Sequence, residues 1–236
     1  MNNRKGGKTP LLPVRTLLIG LLLCANITMV GVLVHSHSTT DAQKTTIGNC
    51  KEAPEKLNGL PLSLDRPGIT QEEASQWQYR VGGMTPAELN ESIKECSPIR
   101  GAYTANTEYV LNWRISYTEP DNGQCSVDKV AVGIRTRQTY PLWEAPAAAP
   151  ASTNDTWNAF MDNLSVHEDG HTKLDQQYAH ELLGDLQAIT NYDCETIEQH
   201  AKDIAAVRTK ALASANTAYD ATTSHGSSQG AKLLSN

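Results

Sequence analysis

A helical pattern between Trp157 and Tyr178 constrains this 236-residue chain more than any other feature. Mostly apolar residues recur there at steps of three and four, as on the buried face of a helix. The positions are Trp157, Phe160, Met161, Leu164, Glu168, His171, Leu174 and Tyr178. Thr153 or Asn154 is placed to cap the start, and the pattern extends to about Leu186. The sequence therefore predicts one long helix, with Glu168 and His171 within its apolar stripe.

Residues 166–171 read VHEDGH and contain an HExxH motif. On a helix, His167 and His171 lie one turn apart on the same side, so both imidazoles can reach one metal ion. Zinc binds neutral histidine nitrogens, and a catalytic zinc site keeps one coordination position for water. Glu168 is placed to take a proton from that water and pass it to a leaving amine. The motif predicts a Zn²⁺-dependent hydrolase, and a chance pair of solvated histidines is the alternative.

A zinc site of this kind needs a third protein ligand, and the sequence leaves three choices. His225 is preferred, because the glycine after it lets the backbone turn and present the imidazole inward. Asp220 is a second choice, either as a ligand or as a group that orients one. His180 lies about 180° around a straight helix from His171, so it serves only if the helix breaks. Tyr219 is a candidate donor to the developing oxyanion, with packing as its alternative.

Period-two alternation predicts a small antiparallel sheet ahead of the long helix. Residues 103–117 alternate apolar and polar side chains, and 125–136 do so after a turn at 120–123, so the two form a hairpin. A shorter strand covers residues 77–81. Prolines recur between Tyr140 and Ser152, and we expect a loop there.

Two further helices complete the predicted domain. Thr85 and Glu88 form a capping box with proline between them, which predicts a helix over Pro86–Glu95. Apolar residues at helical steps from Cys194 to Ala211 predict another. The fold class is therefore α+β, with the sheet packed on the HExxH helix and a second long helix, over residues 76–236.

The amino-terminal segment predicts export. Residues 1–15 are basic, and Thr16 to Val34 carries no charge over about 19 residues, enough to span a membrane as a signal anchor. Since the cations precede this transmembrane helix, residues 1–15 are expected in the cytoplasm and the domain in the periplasm, on a single-pass inner-membrane protein. Cleavage near residues 38–42 would release it. Residues 35–75 are polar without periodicity and are expected to form a stalk.

The cysteines and the net charge indicate the state of the thiols and exclude one class of partner. Four cysteines lie outside the apolar segment, at Cys50, Cys96, Cys125 and Cys194. An even number in an exported segment, without a CxxC pair, favours two disulfides over metal binding and leaves three connectivities open. The net charge of -6 gives no basic patch for nucleic acid.

Several motifs together resemble a bacterial family of predicted secreted zinc-dependent proteases. They are Tyr79-x-Val81-x-Gly83, Thr85 to Leu89, the Trp113 strand, Cys125-x-Val127, Leu142, His167-Glu168-x-Gly170-His171, Cys194 and Tyr219-Asp220-x-x-Thr223-x-His225-Gly226-x-x-Gln229-Gly230. The similarity covers about residues 76–231, and the HExGH motif and the closing motif are its most specific parts.

The resemblance implies an exported metallopeptidase of the zincin type, with a zincin-like fold and a peptide or protein substrate. It implies that His167, Glu168 and His171 belong to the site and that the carboxyl-terminal tail, including His225, is part of it. It also implies a disulfide between Cys125 and Cys194, which leaves Cys50 for Cys96.

Three functions are compatible with these sequence features. The leading one is an envelope-facing zinc metallopeptidase, with the edge strand of the sheet aligning an extended substrate. A non-catalytic binding or scaffold protein is the alternative of a different class, in which a protein group fills the fourth coordination position. The third is hydrolysis of a non-peptide bond, such as an amide in cell-wall material.

Overall fold

The structure, a computed structural model, describes residues 15–16, 50, 53–57, 62, 64–71, 74–101, 103–120 and 123–233. The α+β class is confirmed. In chain order the elements are β1 (Arg15–Thr16), β2 (Gly68–Gln71), β3 (Ser75–Val81), α1 (Pro86–Cys96), β4 (Asn106–Thr118), β5 (Gln124–Trp143), α2 (Ala151–Gln187), β6 (Tyr192–Asp193) and α3 (Ile197–Thr223), followed by a 3₁₀ turn at Ser227–Gln229.

The sheet is mixed, with β5 at its centre. β4 and β5 pair antiparallel from Asn106 opposite Thr139 onward, which confirms the predicted hairpin. On the other side of β5, both β2 and β3 run parallel to it. The prediction of an antiparallel sheet is therefore wrong for the sheet as a whole. The hairpin turn after β4 reverses the chain and brings β5 back in the direction of β3.

Two hydrophobic clusters surround α2. The sheet core lies between the β4–β5 hairpin, the second half of α2 and α3, and it buries the predicted face of β4. Its members include Leu111, Trp113, Ile115, Tyr117, Val132, Ile134, Ala179, Leu182, Leu186, Ile197 and Ala201. The tryptophan core joins β3, α1 and the end of β5 to the first half of α2. Its members include Tyr79, Val81, Leu89, Ile93, Trp143, Trp157, Phe160 and Leu164.

The predicted loop at residues 140–152 is partly wrong, because β5 continues to Trp143 and includes Pro141. The pairing with β4 ends at Thr139, so among the described strands Pro141 is paired with β3 alone. Proline, which has no N–H to donate, is tolerated in a strand at such an edge. The loop that remains covers residues 144–150.

All three predicted helices are present, but two of them differ at their ends. α3 runs from Ile197 to Thr223, so it starts after the predicted Cys194 and continues well past the predicted Ala211. α1 begins with the predicted capping box, in which Thr85 accepts from the Glu88 N–H and Glu88 accepts from the Thr85 N–H. α2 begins at Ala151, before either predicted cap, and its first turn has no side-chain cap. Thr153 instead donates to the Met84 carbonyl 3.1 Å away, which ties α2 to the loop before α1.

Two disulfides are present, as predicted, and they join Cys125 to Cys194 and Cys50 to Cys96. The first links the start of β5 to the segment before α3. The second links α1 to a residue in the segment expected to be a stalk. That segment also supplies β2, which pairs with β5, and the buried side chains of Leu57 and Leu64.

Within the described part of the chain, no helix has both the length and the apolar character to span a bilayer. The predicted transmembrane segment, residues 16–34, lies outside the described residues apart from Thr16, as do residues 1–14 of the basic segment. The backbone of Arg15 and Thr16 pairs with that of Tyr117 and Ser116 at the outer edge of β4.

Candidate metal centre

The middle of α2 turns ionisable side chains towards the protein interior. His167, Glu168, His171 and Asp175 are all buried. Residues 167, 171 and 175 are spaced at four, so they share one side of the helix. α2 runs unbroken through this region, which keeps the two histidines one turn apart.

Three potential ligand atoms converge at this point. The Nε2 atoms of His167 and His171 lie 3.2 and 3.1 Å from Oδ1 of Asp220, which α3 carries three residues before its end. One ligand atom from each of the three residues lies within 4.8 Å of the other two. Two imidazole nitrogens and a carboxylate oxygen are a set that zinc accepts.

His225, the preferred third ligand from the sequence, lies at the edge of this cluster. Its Nδ1 is 3.4 Å from Asp220 Oδ1, and its side chain is 54% exposed. Its ring packs against that of Tyr103, with 5.1 Å between centroids. The group of three converging ligand atoms contains Asp220 and not His225.

His180 lies outside the cluster. It is exposed and lies nine residues beyond His171, which is about 13 Å along the helix axis. Its use as a ligand required a break in the helix, and α2 is continuous from Ala151 to Gln187. The structure thus brings together His167, His171 and Asp220, with His225 beside them, and leaves His180 apart.

Each of the two buried histidines is held from behind by a side-chain amide. His171 Nδ1 lies 2.7 Å from Asn216 Oδ1, and His167 Nδ1 lies 3.0 Å from Gln229 Oε1. Because an amide oxygen only accepts, each Nδ1 carries the proton. The Nε2 atoms then face Asp220, as N–H groups when the ring is charged and as lone pairs when it is neutral. The neutral form is the tautomer in which Nε2 binds a metal.

Each amide also has a partner on its nitrogen side, and for Asn216 the chemistry of that partner sets the orientation. Asn216 Nδ2 donates to Asp175 Oδ1 at 3.0 Å, and Gln229 Nε2 donates to the Tyr219 hydroxyl at 3.1 Å. A reversed Asn216 would place its oxygen against the carboxylate of Asp175 and its NH₂ against the imidazole N–H. The hydrogen-bonding groups around Asn216 therefore require the observed orientation.

Asp220 and His171 change each other's pKa in opposite directions. Burial acts to raise the pKa of Asp220, but hydrogen bonds from His167 and His171 outweigh it and hold that pKa well below its usual range. Burial acts to lower the pKa of His171, but hydrogen bonds with Asp220 and Asn216 outweigh it and raise that pKa. The cluster therefore stabilises the Asp220 carboxylate beside the imidazolium form of His171. A bound metal cation would replace the proton at Nε2 of His171.

Glu168 is buried beside the cluster and bonded to β4. Its Oε2 accepts a hydrogen bond from Oγ1 of Thr107 at 2.7 Å. Burial raises the pKa of the Glu168 carboxyl, although Thr107 and the two histidines act in the opposite direction. A carboxyl group with a raised pKa is suited to take up a proton and release it again at neutral pH.

Tyr219 packs against both histidines. Its ring stacks on His167 at 5.2 Å and 10°, and it meets His171 edge-on at 4.9 Å. A Cβ atom on Gly170 would lie 2.1 Å from the Tyr219 hydroxyl oxygen. Glycine in the middle of the helix therefore allows α3 to approach the motif this closely.

The carboxyl-terminal tail folds back over His167. Ser224, His225 and Gly226 all have left-handed backbone angles, with φ of 50°, 51° and 77°, and these end α3 and reverse the chain. A Cβ atom on Gly226 would lie 3.0 Å from Cγ of His167. This turn delivers Gln229 to the Nδ1 atom of that histidine.

The sequence did not single out several of these contact residues. Thr107 and Asn216 are isolated polar residues in a strand and a helix, and no local spacing marks them. Gln229 stood in the closing motif without an assigned role. Asp175 did carry a signal, because it follows His171 by four residues and so lies on the same buried face.

Comparison with known proteins identifies a family. The sequence profile described as "Bacterial protein of unknown function (DUF922)" matches residues 77–226. The matched region contains His167, Glu168, His171, Asp220 and His225, and it ends before Gln229. No curated protein matches the chain, and neither does any solved structure.

Proposed function

We propose that this chain, which belongs to the bacterial family DUF922, is a zinc-dependent metallopeptidase. The observation that carries the proposal is the convergence of His167 Nε2, His171 Nε2 and Asp220 Oδ1 on α2 and α3. The buried carboxyl of Glu168 follows the first of these residues in the sequence. A zincin-like arrangement, in which the HExxH helix packs under a sheet, is part of the same proposal.

The residues fit a catalytic zinc ion better than a structural one. Structural zinc is usually held by four protein ligands, most often cysteines, whereas catalytic zinc has three and keeps a position open. His167, His171 and Asp220 make three, and the four cysteines among the described residues are joined in disulfides. The amides behind both histidines favour the tautomer that presents Nε2 to a metal.

The proposed reaction is hydrolysis of a peptide bond. Zinc, when bound, lowers the pKa of a coordinated water and polarises a carbonyl group. Glu168 takes the proton from the attacking water and returns it to the leaving amine. Oε2 of Glu168 accepts a hydrogen bond from Thr107, so Oε1 remains for this proton transfer. Tyr219 accepts from Gln229 and keeps its own hydroxyl proton, which it can donate to the oxyanion.

The substrate is proposed to be an extended peptide that pairs with β4. One edge of β4 pairs with β5. On the other edge, the described residues place a partner only at Ser116 and Tyr117. The proposed pairing lies near Thr107, whose side chain contacts Glu168. A peptide bound there by main-chain hydrogen bonds would pass beside the proposed base.

The location proposed for this enzyme is the cell envelope. The two disulfides support an oxidising compartment such as the periplasm.

His225 supports a second candidate, a protein with a closed structural or vestigial metal site. Its Nδ1 lies 3.4 Å from Asp220 Oδ1, near enough to supply a fourth ligand after a small rotation. A site with four protein ligands has no position for water and cannot activate it. The exposure of the His225 ring and its contact with Tyr103 favour the open site.

Zinc content and hydrolysis of a broad peptide library by the full-length protein test the proposal, with Glu168→Gln as the matched variant. We expect equal zinc binding by both proteins and an activity about 10²–10⁴-fold lower in the variant. Equal zinc binding with two equally inert proteins would remove the peptidase proposal.

Two further variants identify the third ligand. Asp220→Ala should weaken zinc binding far more than His225→Ala does. If His225→Ala instead weakens zinc binding as much as Asp220→Ala, four protein ligands close the site and the structural candidate is favoured.

A further inference from the structure

Asp175 is a buried carboxylate that the proposed reaction does not use. It lies on α2 one turn beyond His171 and is 1% exposed. Its Oδ1 accepts one hydrogen bond, from Asn216. Its Oδ2 is buried and has no hydrogen-bond partner among the described residues. Burial of a carboxyl group with an unpaired oxygen costs folding free energy, so stability does not explain an aspartate at this position.

Asn216 connects this carboxylate to His171. The Nδ1–H of His171 donates to Asn216 Oδ1 over 2.7 Å, and Asn216 Nδ2 donates to Asp175 Oδ1 over 3.0 Å. The three groups form one directed chain of hydrogen bonds that ends on a negative charge. Such a chain stabilises positive charge on the ring, so it makes the imidazole a stronger ligand for a cation at Nε2.

We propose that Asp175 and Asn216 are positioning residues for His171, which fix its ring orientation and tautomer and increase its affinity for the metal. This inference rests on the metal site proposed above but not on the hydrolysis of peptides. Neither residue touches the position where the three ligand atoms converge, and both act through the imidazole of His171. Burial of Asp175 thus lowers the stability of the protein but raises its affinity for the metal.

His167 offers an internal comparison for this proposal. Its Nδ1 is held by Gln229, whose amide donates to the hydroxyl of Tyr219 and not to a carboxylate. The two histidines thus have the same kind of acceptor, but only the one behind His171 is backed by a buried charge. A change at Asn216 or Asp175 should alter His171 and leave His167 as it is.

Zinc titration and NMR of the full-length protein test the role of Asn216. Zinc affinity is measured by competition with a chromogenic chelator, and the Nδ1–H signals of both histidines are followed in ¹H–¹⁵N spectra of the zinc-loaded protein. In Asn216→Leu, we expect zinc to bind about 10–100-fold more weakly and the His171 Nδ1–H to lose its protection from solvent exchange. The His167 signal should not move. Gln229→Leu is the matched control and should affect His167 alone.

Asp175→Asn separates positioning from a structural role. The amide can still accept from Asn216, but the charge is gone, so zinc affinity should fall by up to about tenfold. The His171 Nδ1–H signal should move towards that of a weaker hydrogen bond. The stability of the metal-free protein should stay the same or rise, because an unpaired carboxylate has been removed. A structural role predicts that affinity and stability fall together.

A swap of the two side chains provides the rescue. Asn216→Asp combined with Asp175→Asn places the carboxylate next to His171 and the amide behind it, with the same number of hydrogen bonds. Zinc affinity should recover from the Asn216→Leu level towards wild type, and the His171 Nδ1–H should again be protected.

Three results would overturn the proposal. They are wild-type zinc affinity with an unchanged His171 signal in Asn216→Leu, a parallel loss of stability and affinity in Asp175→Asn, and a swapped protein no better than Asn216→Leu. Absence of zinc binding by the wild-type protein would instead contradict the proposed metal site itself.

Discussion

The buried face of α2 is apolar towards both ends and polar in the middle. Trp157, Phe160 and Leu164 pack into the tryptophan core, and Ala179, Leu182 and Leu186 pack into the sheet core. The stretch between them buries His167, Glu168, His171 and Asp175 to a similar degree. One helix face therefore combines two environments with opposite requirements.

The two environments differ in what they demand of the rest of the molecule. An apolar side chain needs only a neighbour of the right volume, and many neighbours will serve. A buried polar group needs a partner of the right chemistry at hydrogen-bonding distance. β4 supplies Thr107, α3 supplies Asn216 and Asp220, and the tail supplies Gln229. The ends of α2 therefore determine stability, whereas the middle determines the chemistry of the site.

The largest effect on stability is expected at an apolar end, in Leu182→Ala. Leu182 is fully buried in the sheet core, and its truncation leaves a cavity. The free energy of unfolding should fall by about 2–5 kcal/mol in urea titrations. The zinc affinity of the folded protein should not change. Val207→Ala is the control, since that side chain is 71% exposed and its loss should change stability by less than about 0.5 kcal/mol.

The contrast between the two environments would fail if Leu182→Ala weakened zinc binding without lowering stability. That result would mean that the sheet core positions the metal ligands directly.

A smaller effect of opposite sign is expected in the polar middle, in Asp175→Asn. Burial raises the pKa of Asp175 to about 7, against about 3.9 for an unfolded chain. Below about pH 4 the carboxyl is protonated in both states and carries no penalty. The penalty grows as pH rises from about 4 to about 7 and is constant above that, because the folded state binds the proton more tightly.

Asparagine does not ionise, so the stability gained by Asp175→Asn in the metal-free protein should increase between pH 4 and pH 8, by up to about 4 kcal/mol. Urea unfolding at the two pH values measures it. Asp203→Asn is the control, because Asp203 is exposed and accepts from Gln199 on the same helix. A gain that is equal at both pH values would show that Asp175 ionises in the folded protein as freely as in the unfolded one.

The fold could be predicted from the sequence wherever a local pattern determines it. The Thr85–Glu88 cap, the alternation along β4 and the apolar stripe of α2 are such patterns, and each predicted its element. Period two shows which side chains share a face but not which strand lies alongside. The parallel pairing of β3 with β5 was missed for that reason. β2 was missed because residues 35–75 show no strand periodicity and were expected to form a stalk.

The residues of the site also differ in whether a local sequence pattern predicts them. His167, Glu168 and His171 follow from spacing on one helix, whereas Asn216 and Thr107 reach it only through the packing of α3 and β4 on α2. The choice between Asp220 and His225 depends on where α3 ends, which tail composition does not determine. The left-handed residues Ser224 and His225 reverse the chain just after α3, and Asp220 consequently faces the histidines from within the helix.

The smallest effect is expected where the sheet meets the polar middle of α2, in Thr107→Val. Valine keeps the shape of the side chain but removes the donor to Glu168 Oε2. Glu168 then loses the bond that fixes which oxygen faces the substrate, and kcat for the best library peptide should fall by about tenfold, or about 1.4 kcal/mol. KM and zinc affinity should not change, since Thr107 contacts neither the ligand atoms nor an apolar core. Thr209→Val is the control, because that hydroxyl donates to the Ala205 carbonyl on its own helix. An unchanged kcat in Thr107→Val would show that burial alone orients Glu168. The polar middle of α2 would then not need the hydrogen bond from Thr107.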